Sequence, residues 1–161
     1  MVKITIDDKV VEVPADSTIL EAAASVGINI PTLCYLKGLN EVGGCRVCVV
    51  EVEGAEQLVA ACNNNVLDGM VVHTNSPKVR AARKINVQLL LSQHDSSCTS
   101  CVRSGNCTLQ TVANDLGIYR LPYKKHVEHN SWDRSFPLIR DNEKCIRCLR
   151  CIQICEKVQG I

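Results

Sequence analysis

Aromatic side chains are scarce in this sequence: one Trp, one Phe and three Tyr make up 3% of 161 residues. Small domains bury too little apolar surface to be stable unaided, so a chain with so few rings needs another source of cohesion. Long apolar runs are missing too. None approaches the roughly 18 residues a membrane span requires. The N-terminal MVKITIDDKVVEV alternates apolar and charged residues where a signal peptide would carry an apolar core and a small-residue cleavage site. A cytoplasmic, reducing location is therefore expected, without membrane contact of its own. Charge of one sign is also lacking. Eighteen Lys and Arg stand against 17 Asp and Glu, a formal net charge of +1, which together with the missing rings excludes a basic stripe or stacking platform for nucleic acid.

What the sequence has in excess is cysteine, 11 residues, beside only four histidines. An odd number in a chain with no export signal argues against a disulfide framework, because one thiol is left over and cytosolic thiols stay reduced. Metal ligation is the better reading.

Local patterns predict an α+β chain. Val2, Ile4 and Ile6 alternate with polar residues, Asp7-Asp8-Lys9 supplies a turn, and Val11 and Val13 resume the period of two, as in a β-hairpin. Thr18 and Glu21 fit a capping box for a helix ending at Gly27. Short strands are expected over Val47–Val52, Gln57–Ala61 and Met70–Thr74, parted by Gly54 and Asp68-Gly69. Ser76-Pro77 starts a second helix whose apolar stripe reads Val79, Ala82, Ile85, Leu89, with His94 just past its end. A shorter helix runs from about Thr108 to Leu116 before Gly117. Residues 118–143 show no sustained period and read as an ordered wrapping segment or linker. These boundaries divide the chain into 1–76, 77–118 and 119–161.

The cysteines fall into three sets with three spacings. Cys34, Cys45, Cys48 and Cys62 form C-x10-C-x2-C-x13-C, three ligands on a loop and a fourth on a following strand, as in a plant-type 2Fe-2S site with a longer first gap. Gly43 and Gly44 beside Cys45 allow backbone amides to approach a cluster. Zinc with four thiolates is the competing occupant, although a lone C-x2-C between long gaps is unlike paired zinc knuckles. Cys98, Cys101 and Cys107 are one ligand short of a cubane, and His94 precedes them in H-x3-C-x2-C-x5-C. A histidine at a helix end often only meets the helix dipole; here the missing fourth ligand makes His94 the candidate, imidazole being the next soft donor. His73, His126 and His129 lack this proximity and read as surface or linker residues. Cys145, Cys148, Cys151 and Cys155 form C-x2-C-x2-C-x3-C, the bacterial ferredoxin run, whose first three cysteines hold one 4Fe-4S cluster and whose fourth ligates its neighbour. Ligands beyond Ile161, from a longer polypeptide or another chain, are expected to complete these last clusters.

This order of a 2Fe-2S set, a histidine-plus-three-cysteine 4Fe-4S set and a ferredoxin-type run resembles the N-terminal part of NADH-dependent iron-iron hydrogenase catalytic subunits, over essentially all 161 residues. The same architecture looks like that of NAD-dependent formate dehydrogenase catalytic subunits and of the large iron-sulfur subunit of complex I. KCIRCLRCIQICEKVQGI is similar to the hydrogenase and formate dehydrogenase sequences, and LLLSQHDSSCTSCVRSGNCTLQ to hydrogenases of anaerobic bacteria. The resemblance implies a β-grasp ferredoxin domain, a small helical domain holding the histidine-anchored cluster, and the first half of a two-cluster ferredoxin domain. It further implies an electron relay between a flavin-bearing, NAD-binding subunit, accompanied by a small 2Fe-2S subunit, and a catalytic centre outside these residues. In some such hydrogenases ferredoxin is a second partner. A zinc-stapled interaction module without redox work and a free-standing electron-transfer subunit are the other readings these residues leave open.

Overall fold

A computed structural model describes residues 1–129, 131, 135, 137 and 140–161. The first hairpin forms as the alternation predicts: β1 (Val2–Ile6) pairs antiparallel with β2 (Lys9–Val13), Ile6 opposite Lys9. Asp7 and Asp8 close it with φ of 44° and 67°, the double positive φ of a type I′ turn, whose twist matches that of the flanking strands. Asp7 has a second task. Its carboxylate accepts the Thr74 amide at 2.7 Å and also the Thr74 hydroxyl, tying the turn to a residue far along the chain.

Helix α1 (Ile19–Ser25) begins at a complete capping box. The Glu21 amide donates to Thr18 Oγ1 at 3.2 Å, and the Thr18 amide donates to Glu21 Oε2 at 3.0 Å, so two amides that the helix cannot satisfy internally are covered. Gly27, at φ 73°, turns the chain so that the Ile28 amide reaches Ala23 O at 2.9 Å. Ile19, Ala22 and Ala23 are buried in one core with Ile4, Ile6, Val50 and Val72.

The remaining strands are shorter than expected. β3 is Val49–Val52, β4 only Val59–Ala60 and β5 Val71–His73. Val47 and Cys48 lie in the turn before β3, because the cysteine loop extends two residues further than β-propensity alone suggested. The five strands make a mixed sheet in the order β2-β1-β5-β3-β4, with β1 parallel to β5 and the other pairs antiparallel. Hairpin, helix and return strands give the expected α+β class.

Helix α2 (Pro77–Ser92) starts as Ser76-Pro77 predicts: the Val79 amide donates to Ser76 Oγ at 3.3 Å. Its stripe differs from the expected one. Ile85 and Leu89 are exposed, whereas Val79, Arg83 and Val87 are buried. The chain divides into two compact units, Met1–Arg83 with Leu149–Ile161, and Lys84–Cys148.

In the second unit, α3 (Thr108–Asp115) buries Leu109, Val112 and Ala113 and ends before Gly117 at φ 60°. The segment after it is tied back at two points: the His126 amide donates to Ser92 O at 2.7 Å and the Asp95 amide to Glu143 O at 2.7 Å. Residue 130, residues 132–134 and residues 136, 138 and 139 of that expectation lie outside the described residues. In the first unit, α4 (Arg150–Ile154) continues into one π-helical turn, Cys155–Gln159.

Candidate metal centres

The first set comes together as two pairs. Cys48 Sγ and Cys62 Sγ are 3.3 Å apart, and the Cys34 and Cys45 thiols interact with each other. Cys34, Cys48 and Cys62 are buried. Local structure explains the pairing. Cys34 begins a tight loop in which Leu36 and Asn40 bridge, and the fully buried Asn40 donates its side-chain amide to Cys34 O at 2.7 Å. Cys45 and Cys48 flank Arg46, which adopts φ 53°, and Cys62 follows β4, whose Ala60 pairs with Val49.

Proton donors converge on one thiol of each pair. Cys45 is lowered to about 5 by the Cys34 thiol, against burial, with further help from the Val47, Cys34 and Leu33 amides. Cys48 is lowered to about 7 by the Cys62 thiol, again against burial. Cys34 and Cys62 are pushed up, first by the hydrogen bond each shares with its partner thiol and then by burial. Within each pair the shared hydrogen bond eases loss of one proton, and metal binding would release the remaining protons. Two pairs of thiols match a two-iron group that takes two protein ligands per iron. A single zinc ion needs four donors converging on one centre; among the described residues no three His, Cys, Asp or Glu side chains are grouped so as to hold a metal ion of any kind.

His94 lies two residues beyond α2 and its Nδ1 is buried without a hydrogen-bond partner among the described residues. Burial lowers its pKa, with Lys144 adding to the effect, so the ring is held neutral, the form that can ligate a metal. Buried polar atoms are rarely left without partners, and a metal bond is a chemical use for this one. Cys98–Ser100 forms a 3-10 turn capped by Cys101, and Cys107 is the N-cap residue of α3, its carbonyl accepting the Thr111 amide at 3.0 Å. A cubane takes one ligand at each of four corners, so its donors surround a volume and do not meet at a point.

The third set is divided between the units: Cys145 and Cys148 belong to the second, Cys151 and Cys155 to the first. Burial raises the Cys145 thiol, but the Arg147 amide at 3.4 Å and Arg140 Nη2 at 3.2 Å leave it lowered overall. Arg147 and Leu149 take positive φ, 53° and 64°. Cys151 and Cys155 are exposed.

Two arginines carry roles that spacing along the chain did not reveal. Arg150 Nε and Nη2 donate to Cys34 O at 3.2 Å and Tyr35 O at 2.8 Å, and Lys157 Nζ donates to Leu39 O at 2.7 Å, so residues around Cys151 hold the loop that carries Cys34. Arg83 is buried beside Cys48, donating to Val49 O at 2.7 Å. Its spacing of four from both Val79 and Val87 was the available signal.

Comparison with known proteins agrees with these features. Residues 1–77 match the 2Fe-2S iron-sulfur cluster binding domain, and residues 83–121 match the NADH-ubiquinone oxidoreductase-G iron-sulfur binding region. The chain is 48% identical to NADP-reducing hydrogenase subunit HndD of Solidesulfovibrio fructosivorans over 99% of its own length and 28% of that protein. It is 38% identical to the NADH-ubiquinone oxidoreductase 75 kDa subunit of Reclinomonas americana, over 100% of its length and 23% of that protein. It thus spans under a third of the length of either relative. A crystal structure of NAD+-reducing NiFe-hydrogenase in the H2-reduced state superposes with a TM-score of 0.86 at 28% identity, covering 96% of this chain and 65% of that one. No helix among the described residues is long and apolar enough to cross a membrane. The chain thus carries, over residues 1–77, a match to the 2Fe-2S iron-sulfur cluster binding domain and, over residues 83–121, a match to the NADH-ubiquinone oxidoreductase-G iron-sulfur binding region, and is similar in sequence to subunits of an NADP-reducing hydrogenase and of NADH-ubiquinone oxidoreductase.

Proposed function

We propose that these residues form the iron-sulfur relay of an NADH-dependent hydrogenase of the iron-iron type, passing electrons between a flavin- and NAD-binding subunit and a hydrogen-forming or hydrogen-oxidising centre outside them. The observation that carries the relay is the gathering of Cys34 with Cys45 and Cys48 with Cys62. These four would hold a 2Fe-2S cluster. His94, Cys98, Cys101 and Cys107 would hold a 4Fe-4S cluster; Cys145, Cys148 and Cys151 a further one; and Cys155 its neighbour. The parts would be 1–76, 77–118 and 119–161. Bound clusters of these kinds exchange single electrons with little rearrangement over a wide range of potentials.

The chain's own residues do the rest. Amides of Leu33, Cys34 and Val47 point at Cys45, stabilising negative charge on sulfur, which favours an electron-rich centre. Burial of Cys34, Cys48 and Cys62 keeps water from the same sulfurs. His94, neutral where the other ligands are anionic, makes its centre less negative by one charge and so easier to reduce, as histidine ligation does in Rieske centres. The likeness to a hydrogenase subunit and to an NAD+-reducing hydrogenase structure supports hydrogen as the final couple; a small 2Fe-2S subunit and, in some enzymes, ferredoxin would be the further partners, in the cytoplasm.

Anaerobic reconstitution tests the relay. The expected product is brown, contains sulfide as well as iron, and gives paramagnetic resonance from one reduced 2Fe-2S and at least one 4Fe-4S centre. A colourless protein that binds zinc in preference would overturn it. For the final couple, the complex purified with its catalytic centre is expected to reduce NAD+ with hydrogen; formate or quinone turnover in place of hydrogen would overturn the hydrogenase assignment.

A further inference from the structure

The buried line of α2 contains one charged residue. Arg83 is 6% exposed, between Val79 and Val87, which are both fully buried. Its Nη2 donates to Val49 O at 2.7 Å, while its Nε has no partner among the described residues. The ion pairs of the described residues do not include it. Asp7 is the carboxylate whose charge reaches it, and Asp7 is already bound by the amide and hydroxyl of Thr74. Removing a guanidinium from water with neither a paired carboxylate nor a full set of acceptors is costly. Arginine does not escape the cost by losing its proton, since it stays charged in proteins. A negative group must therefore face it. Val49 directly follows Cys48, and burial lowers the guanidinium overall while the Cys48 charge opposes that shift in part. The amino end of α2 fixes its approach: Ser76 Oγ donates to Glu51 Oε2 at 2.5 Å, and Lys78 Nζ lies 3.9 Å from the same carboxylate.

We infer that Arg83 is the buried counter-charge of the Cys48 and Cys62 end of the 2Fe-2S centre and raises that centre's midpoint potential. This rests on the 2Fe-2S assignment above. Reduction adds one electron, from dithionite in the test or from the electron-input subunit in the enzyme, and makes or breaks no bond. It leaves one more negative charge among the four thiolates. A fixed cation in a low-dielectric site stabilises the more negative state more strongly than the less negative one. Arg83 is a positioning and tuning residue; it would not be a ligand.

The test is a dithionite redox titration of the cluster-loaded protein, followed by the paramagnetic resonance of the reduced 2Fe-2S centre, for wild type, Arg83→Lys, Arg83→Gln and Arg83→Met. Both neutral variants are expected to titrate at a lower midpoint with unchanged iron content, and Arg83→Lys to stay near wild type. An unchanged midpoint in Arg83→Gln overturns the inference. So does a midpoint in Arg83→Lys as low as in Arg83→Gln, because the hydrogen bond to Val49 and not the charge would then matter. Where the neutral variants fail to hold iron, pulsed resonance on protein labelled with nitrogen-15 arginine decides: a guanidinium coupling present in wild type and missing in Arg83→Lys supports it, and identical spectra overturn it. A wild-type protein without any 2Fe-2S signal would instead refute the cluster assignment.

Discussion

Gly43→Ala measures how much the fold spends on bringing Cys45 to its place. Gly43 has φ 63°, where an L side chain costs about 1–2 kcal/mol. An added Cβ would lie 2.8 Å from Asn63 Nδ2 and 3.1 Å from its Cγ and Oδ1. Asn63 is exposed, so its amide can rotate away. What it then loses is the bond that Asn64 Nδ2 donates to Asn63 Oδ1 at 3.1 Å, worth about 0.5–1.5 kcal/mol. The backbone cost therefore outweighs the overlap, and the total is about 1.5–3.5 kcal/mol. Since about 1 kcal/mol moves the midpoint of a domain this small by roughly 4–8 °C, far-ultraviolet dichroism of the reconstituted chain resolves it. The strain falls two residues before Cys45 and the overlap one residue after Cys62, so a chelator should strip iron faster from the variant. Asn63→Ala on its own is expected to cost the lost hydrogen bond, and to cost nothing further when added to Gly43→Ala. Equal midpoints for Gly43→Ala and wild type would refute the backbone argument; full additivity of the two changes would refute the assigned overlap.

Three more perturbations test other parts of the structure. Thr18→Ala removes the Oγ1 that accepts the Glu21 amide in the capping box, while the residue-18 amide can still donate to Glu21, and should destabilise the first unit by about 1 kcal/mol, read as a lower thermal midpoint; no change would mean α1 is held without that side-chain cap. Ile4→Ala empties a side chain 1% exposed at the centre of the core and should cost about 2–5 kcal/mol in urea unfolding, with a cost under half that range disproving close packing at β1. His94→Cys should keep a 4Fe-4S cluster at a lower potential and His94→Ala should lose or degrade it; wild-type titrations and iron content in both would remove His94 from the ligand set.

The hairpin, the capping box and the start of α2 were legible because each is set by residues within one turn of each other. Asp7-Asp8 has to take positive φ to close a two-residue loop, and Thr18 and Glu21 satisfy each other's amides whatever lies beyond the helix. The strand ends were not. Val47 and Cys48 have strand-like neighbours, yet the loop that brings Cys45 and Cys48 toward their partners outweighs that preference. The α2 stripe failed for a related reason: an apolar pattern picks Ile85 and Leu89 as buried, but both are exposed and the buried line includes Arg83, which donates to Val49 O.

Patterning along the chain by itself determined the α+β class and suggested the three sets into which the eleven cysteines and His94 are proposed to fall, since a cluster's ligands must be delivered at fixed separations from short loops. Tertiary structure alone decided that Cys34 joins Cys45 while Cys48 joins Cys62, that Arg150 holds the Cys34 loop, and that Arg83 is buried beside Cys48. These contacts join residues eleven to more than a hundred positions apart. No local rule encodes them; they follow from which faces of sheet, loop and helix exclude water together.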